Sequence, residues 1–264
     1  MTRSHSLIIL LAASLAAWVG CVPPQPTPPP EVYTPRFEWT PPSKAAPGAA
    51  HVTFALVSPK FSARASSAWA GLGGTPPVLR DLQEAMSVHF AELLAAKGFT
   101  TRGPFGNYAE MTFPDKKGSD LVLRSEIDIA ISDAGRASDL QFTFIGPHQF
   151  LFHGVTQLGG RVELLLSESL SNERMWVKNI DLPSKTVRWF GTQLWRNSAD
   201  PNSMTLAPPP FYAHFSDPGF VSAVGKELEE YFHTTMDAAW RYLNTEEMSL
   251  VKKESQEIRQ RKVY

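Results

Sequence analysis

The chain has one cysteine in 264 residues, Cys21, so no disulfide can form within it and none contributes to its stability. It has no apolar run of the roughly 20 residues needed to cross a bilayer as a helix. It has no charge excess of either sign: 25 Lys and Arg stand against 26 Asp and Glu, which leaves no electrostatic footprint for DNA or RNA. Catalytic and metal-binding patterns are equally scarce. There is no Cys-x-x-Cys, Gly-x-Ser-x-Gly or His-Glu-x-x-His, and Gly71-Leu72-Gly73-Gly74 lacks both the Lys-Ser/Thr and the spacing of a phosphate loop, so it is a flexible loop. These absences argue against an enzyme, a cofactor, a metal site and a nucleic-acid partner. At 43% apolar and 11% aromatic residues, the chain can still bury a real core.

What is present begins at the N-terminus. Arg3 and His5 precede an apolar stretch from Leu7 to Val19, the length of a signal-peptide core, which stops on Gly20-Cys21. The segment resembles a bacterial lipoprotein signal, which implies removal of residues 1–20 and lipidation of Cys21 as the new N-terminus. Trp18 stands where such signals usually carry Leu. The alternative is an ordinary secretory signal with an incidental cysteine. Residues 21–50 form a second zone, with ten of the 22 prolines, including Pro28-Pro29-Pro30. Proline fixes φ and removes the backbone donor, so this zone favours extended polyproline II and reads as a tether of up to roughly 90 Å. A ligand for a partner's aromatic groove is the alternative.

A globular domain is expected over residues 51–244. Val52, Phe54 and Leu56 alternate with Thr53, Ala55 and Val57 in a strand ended by Ser58-Pro59, with a Ser-, Ala- and Gly-rich loop after it. Thr75-Pro76-Pro77 marks a helix start with a hydroxyl cap. Leu79, Leu82, Met86, Phe90 and Leu93 form the helix's apolar stripe, and Lys97-Gly98 close it. In residues 121–132, Leu121, Leu123, Ile127, Ile129 and Ile131 share one face and Arg124, Glu126 and Asp128 the other. Further strands are expected at 140–145, 149–157, 161–170, 174–181 and 187–195, separated by Gly146-Pro147, Gly159-Gly160 and Ser171-Asn172. Residues 197–215 read as an irregular excursion. A second helix starts at Asp217-Pro218 and carries Val221, Val224, Leu228, Phe232 and Met236 on one face, continued by Trp240 and Leu243. Residues 245–264 read as a charged, solvated helical extension, with docking through Met248, Val251 and Ile258 as the alternative. The order of elements predicts an α+β fold, a mostly antiparallel or mixed sheet covered by two long helices behind a Pro-rich N-terminal tether.

Few residues invite a chemical role. Glu126 and Asp128 point the same way from one strand, about 7 Å apart, a spacing that suits a carboxylate pair of a glycosidase or a cation site. Two charges on a solvated strand face is the plainer reading. His89 and Glu92 sit three apart, off the apolar stripe, with no second histidine at metal spacing. His148 and His153 flank a strand without a partner in the sequence. Trp39 in the tether and Trp69 in a loop mark either contact with a partner, lipid or sugar face, or burial.

Several of these segments resemble the neuraminyllactose-binding haemagglutinin family, lipoproteins of the cell surface and flagellar sheath. They are Val19-Gly20-Cys21; Ala55-Leu56-Val57-Ser58-Pro59-Lys60-Phe61-Ser62; the helix end Leu93-Leu94-Ala95-Ala96-Lys97-Gly98-Phe99; Met175-Trp176-Val177-Lys178-Asn179-Ile180-Asp181-Leu182; and the terminal helix from Leu243-Asn244 to Arg261-Lys262. The resemblance covers most of residues 51–264 and implies a non-enzymatic outer-membrane lipoprotein, adhesin-like or sheath-associated. The alternative is a periplasm-facing accessory lipoprotein of a flagellar or secretion machine. The partners implied are a membrane, reached through the N-terminal lipid, and a protein or host surface. Val22, in place of an aspartate after the cysteine, fits outer-membrane sorting by analogy; whether the domain faces the cell surface or the periplasm stays open. The family's basic segment, expected near residues 132–141, is reduced here to the single Arg136. A sialic acid carboxylate needs a cation or several donors, so sialoglycan binding does not carry over and no sugar-binding residue is assigned.

Overall fold

Three strands of 21, 21 and 22 residues set the architecture, and they are much longer than the alternation of their sequences predicts. The computed structural model describes residues 33–70, 74–141, 148–195 and 215–262. The excursion at 197–214, the Gly146-Pro147 turn and the first 32 residues, Cys21 among them, lie outside the described residues.

The strands are β1 (Thr53–Val57), β2 (Lys60–Phe61), β3 (Thr100–Phe105), β4 (Leu121–Gln141), β5 (His148–Glu168) and β6 (Arg174–Trp195). The helices are α1 (Ala63–Ala70), α2 (Pro77–Ala96), α3 (Phe113–Lys117), α4 (Pro218–Tyr242) and α5 (Thr245–Lys262), with a 3-10 turn at Tyr108–Glu110. All six strands form one mixed sheet in the order β3-β1-β4-β5-β6, with β2 beside β4. β1 runs parallel to β3 and β4, and β4, β5 and β6 form an antiparallel meander. This is the expected α+β class, a mixed sheet beneath two long helices.

One face of the sheet makes the core. Phe54, Leu56, Leu121, Leu123, Ile127, Ile129, Val162, Leu164 and Leu166 meet Leu79, Leu82, Met86 and Phe90 of α2 and Val224, Leu228, Phe232 and Met236 of α4. Both helical stripes are those the three-and-four spacing predicts. Asp217 caps α4 through the amides of Gly219 and Phe220. At the start of α2 the expected hydroxyl cap is not used: Pro76 holds the cap position and no side chain caps it, because Pro77 in the first turn already removes one of the orphan donors. Lys97 and Gly98 (φ +81) end α2 as expected.

The long strands correct the expected segmentation. Gly159-Gly160 is not a turn but an irregularity within β5, where the register against β6 shifts between Leu158 and Gly160. A Cβ on Gly160 would lie 2.0 Å from the Asp128 carbonyl oxygen, so the glycine allows close approach of β4 rather than chain reversal. The carbonyls of Leu158 and Pro183 at this irregularity share the hydroxyl of Tyr231, which is buried on α4. Burial pushes that hydroxyl's pKa up to about 12. The predicted pieces at 174–181 and 187–195 join into β6 across Pro183. Its missing amide is tolerated on an edge strand. β4 likewise runs on through Ser132–Gln141, where neither face is apolar, because β5 supplies its backbone partners. Of the expected turns, Ser171-Asn172 is one, with Asn172 at φ +60.

Three further expectations change. The Ser- and Ala-rich stretch after β2 is helix α1: the Ser62 hydroxyl accepts from the Ala65 amide, and Ala65 and Trp69, four apart, are buried together. Residues 33–50 do not behave as a tether but lie on the body. The Tyr33 hydroxyl donates to Glu229, Phe37 packs edge-on against Phe232 (5.7 Å), and the Ala45 amide donates to the Ala96 carbonyl at 2.7 Å. Residues 245–262 are helical and largely exposed as expected, but one stripe of the helix packs on the body. Met248 and Val251 are buried in the main core, and the Ser255 hydroxyl donates to the Asp120 carbonyl at 3.0 Å.

Candidate functional site

The face of the sheet away from α2 and α4 carries the charged residues that alternation places there. A second, small apolar cluster of Ala55, Val57, Met111 and Val122 covers one end of it. It is roofed by the 3-10 turn, which Asn107 caps, and by α3, which has a Thr112/Asp115 capping box. Beyond the cluster the face opens into a cleft of about 670 Å³. Lys60, Tyr108, Arg124, Glu126, Glu163, Asn172 and Arg174 line it.

Arg124 is the organising residue of this cleft. One terminal nitrogen donates to Ser167 Oγ at 3.0 Å and Asn172 Oδ1 at 2.6 Å, and the guanidinium lies 6.0 Å from the Tyr108 ring centroid. Its Nε is shielded from solvent and has no hydrogen-bond partner. Desolvation lowers its pKa and the charge of nearby Arg174 adds to this, against the opposing influence of Tyr108. One row along, Glu126 stands directly across from Glu163 of β5, with Lys60 of β2 as its register partner on the other side.

Glu126 and Asp128 do share the outer face, as alternation predicts, but Asp128 is occupied. Its carboxylate accepts from Ser62 Oγ at 2.7 Å and forms a fork with Arg64, whose Nη2 is 2.8 Å away. Partial burial raises its pKa, but the bonds from Ser62 and Arg64 outweigh that and hold the carboxyl below the ordinary range. A general acid needs the opposite shift, so Asp128, ionised and already bonded to Ser62 and Arg64, is not placed to be one.

The other flagged residues serve packing. His89 is not on a free face: it bonds Glu92 at 2.7 Å and the Phe37 carbonyl at 3.0 Å, and its ring packs edge-on to Phe232. Trp39 and Trp69 are both buried. Trp39 Nε1 donates to Asp237 at 2.9 Å, and Trp69 packs edge-on against Phe61 at 4.7 Å. His153 lies edge-on to the exposed Phe190, and the side chains of His148 and Arg136 lie outside the described residues. No group of three His, Cys, Asp or Glu among the described residues is placed to hold a metal, and no described helix is long and apolar enough to cross a membrane. Sequence reasoning missed Tyr108, Asn172 and Arg174. The only local signals were Asn107, capping the turn that carries Tyr108, and Asn172, a left-handed turn residue.

A mixed sheet with helices on one face and a charged cleft on the other defines an α+β architecture. No family model matches the sequence, and no curated protein matches it either. Solved structures do. The neuraminyllactose-binding hemagglutinin homolog from Helicobacter pylori is 15% identical over 84% of this chain and 98% of its own, with a TM-score of 0.54. A protein from Xanthomonas campestris is 11% identical over 82% and 97%, with a TM-score of 0.36. A lipoprotein from Neisseria meningitidis is 15% identical over 57% and 88%, with a TM-score of 0.25. The Helicobacter likeness establishes a shared fold.

Proposed function

We propose that the chain is a lipid-anchored, non-enzymatic protein of the bacterial outer membrane, acylated on Cys21, with its α+β body acting as an adhesin-like or flagellar-sheath-associated binding module. The observation that carries this reading is the placement of the one cysteine. It follows, after the single small residue Gly20, a 13-residue apolar core that begins at Leu7, and no second thiol exists to pair with it. Of the proline-rich zone, residues 33–50 are packed on the body, beginning with the Tyr33 amide, which donates to Ser222 Oγ of α4 at 3.1 Å. By composition, the proline-rich residues 22–32 are the proposed spacer between lipid and domain. In polyproline II geometry such a spacer reaches about 35 Å at ~3.1 Å per residue, shorter than the composition of residues 21–50 predicts. The fold shared with the Helicobacter pylori hemagglutinin homolog fits the same reading.

The test is metabolic labelling with an alkyne fatty acid, comparing the wild type with Cys21→Ala. The proposal predicts loss of label together with loss of membrane fractionation. Retained label, or retained membrane association without it, would refute the anchor. Protease shaving of intact cells then separates the surface adhesin, which is cleaved, from a periplasm-facing accessory subunit, which is protected.

A further inference from the structure

The outer-face cleft holds charges of both signs that are not joined in ion pairs. Among the described residues, none of Lys60, Arg124, Glu126, Glu163 and Arg174 takes part in an ion pair. At one end, Arg124 and Arg174 line the same wall of the cleft, close enough for the charge of Arg174 to disfavour that of Arg124. At the other end, Glu126 and Glu163 stand in direct cross-strand opposition, an arrangement that destabilises a sheet when left uncompensated. Arg124 and Glu126 are two residues apart on one strand face, so the two ends lie about 7 Å apart. The guanidinium is preorganised by Ser167 and Asn172, and its shielded Nε–H lacks an acceptor, a condition that native structures rarely leave unused.

An anion alone would meet the two glutamates, and a cation alone the two arginines. We propose that this cleft binds a small zwitterion, its carboxylate or phosphate held by Arg124 and Arg174 and its primary ammonium by Glu126 and Glu163. Lys60, exposed beside Glu126, lines the same end of the cleft, so the ammonium has to displace its charge from Glu126. Arginine suits the anionic end because its planar fork matches carboxylate and phosphate geometry. This site does not depend on acylation of Cys21.

The experiment is calorimetric titration of the full-length protein with O-phosphoethanolamine, inorganic phosphate and ethylamine as separate probes. The zwitterion is expected to bind at least about tenfold more tightly than either half-ligand. Glu163→Gln is expected to abolish that advantage while leaving phosphate binding and the unfolding temperature intact or raised, because it relieves a like-charge pair. Arg124→Gln is expected to remove binding of both phosphate and the zwitterion. Equal affinity for phosphate and O-phosphoethanolamine, or no heat from any probe at ~10 mM, would overturn the proposal. Dihexanoyl phosphatidylethanolamine and free alanine separate the two sources. Binding of the former assigns a lipid headgroup, binding of alanine alone assigns a soluble amino acid, and either outcome upholds the zwitterion site.

Discussion

Arg259, near the end of α5, places its Nε 2.7 Å from Oε1 of Glu168, a carboxylate at the end of β5 with no exposed surface. The same guanidinium donates to Ser169 Oγ and the Ser119 carbonyl, so one side chain ties the terminal helix to two loops and a strand end. Removing it strands a buried negative charge. Arg259→Ala is expected to cost about 3 to 5 kcal/mol. The check is a urea titration, in which the midpoint falls while the slope stays constant.

Acid should act at the same place. Burial raises the Glu168 pKa, but the amides of Leu170 and Ser171 and the Arg259 guanidinium outweigh it and hold the carboxyl below its ordinary value of 4.5. A depressed folded-state pKa adds stability that is fully present above the unfolded value and is lost as pH falls through the folded one. Unfolding temperature measured downward from pH 6 is therefore expected to hold until about pH 4.5 and then drop. In Arg259→Ala, which removes one of the groups that lower the Glu168 pKa, that drop is expected to be smaller.

Tyr231 supports the irregularity in β5. Its hydroxyl donates to two strand carbonyls at the register shift, those of Leu158 and Pro183. Tyr231→Phe keeps the ring and deletes only that donor, so a loss of about 1 to 3 kcal/mol is expected. Thermal unfolding checks it. A loss near zero would mean that water reaches those carbonyls.

Trp39 tests whether the N-terminal segment belongs to the folded body. Its ring packs against Trp240 at 5.9 Å and its indole nitrogen bonds Asp237. Trp39→Ala is expected to destabilise the domain by about 3 to 5 kcal/mol, and deletion of residues 22–32 to leave it unchanged. Unfolding curves of the two variants separate a packed segment from a tether.

The helices and the inward faces of the strands were legible because each follows one period: Leu79 to Leu93 at three and four, Leu121 to Ile131 at two. Strand ends were not, because Gly159, Gly160 and Pro183 are breakers locally but stand in strands held by long-range pairing. Proline content disguised residues 33–50. Their anchors, Tyr33, Phe37 and Trp39, find partners on α4, almost 200 positions away in sequence. The charge of residues 245–262 likewise hid a narrow buried stripe of Met248, Val251 and Ser255. The outer-face cleft draws on five strands and the turns that carry Tyr108 and Asn172. Only Glu126 and its neighbour Arg124 had been marked by alternation, since Arg174 and Asn172 reach the cleft through the β5–β6 turn.

The most direct test of the account is the mass of the N-terminal peptide from protein extracted from membranes. The account predicts a chain that begins at Cys21 and carries acyl chains on it. A peptide that retains residues 1–20, or one that exposes an unmodified Cys21 thiol, would contradict it.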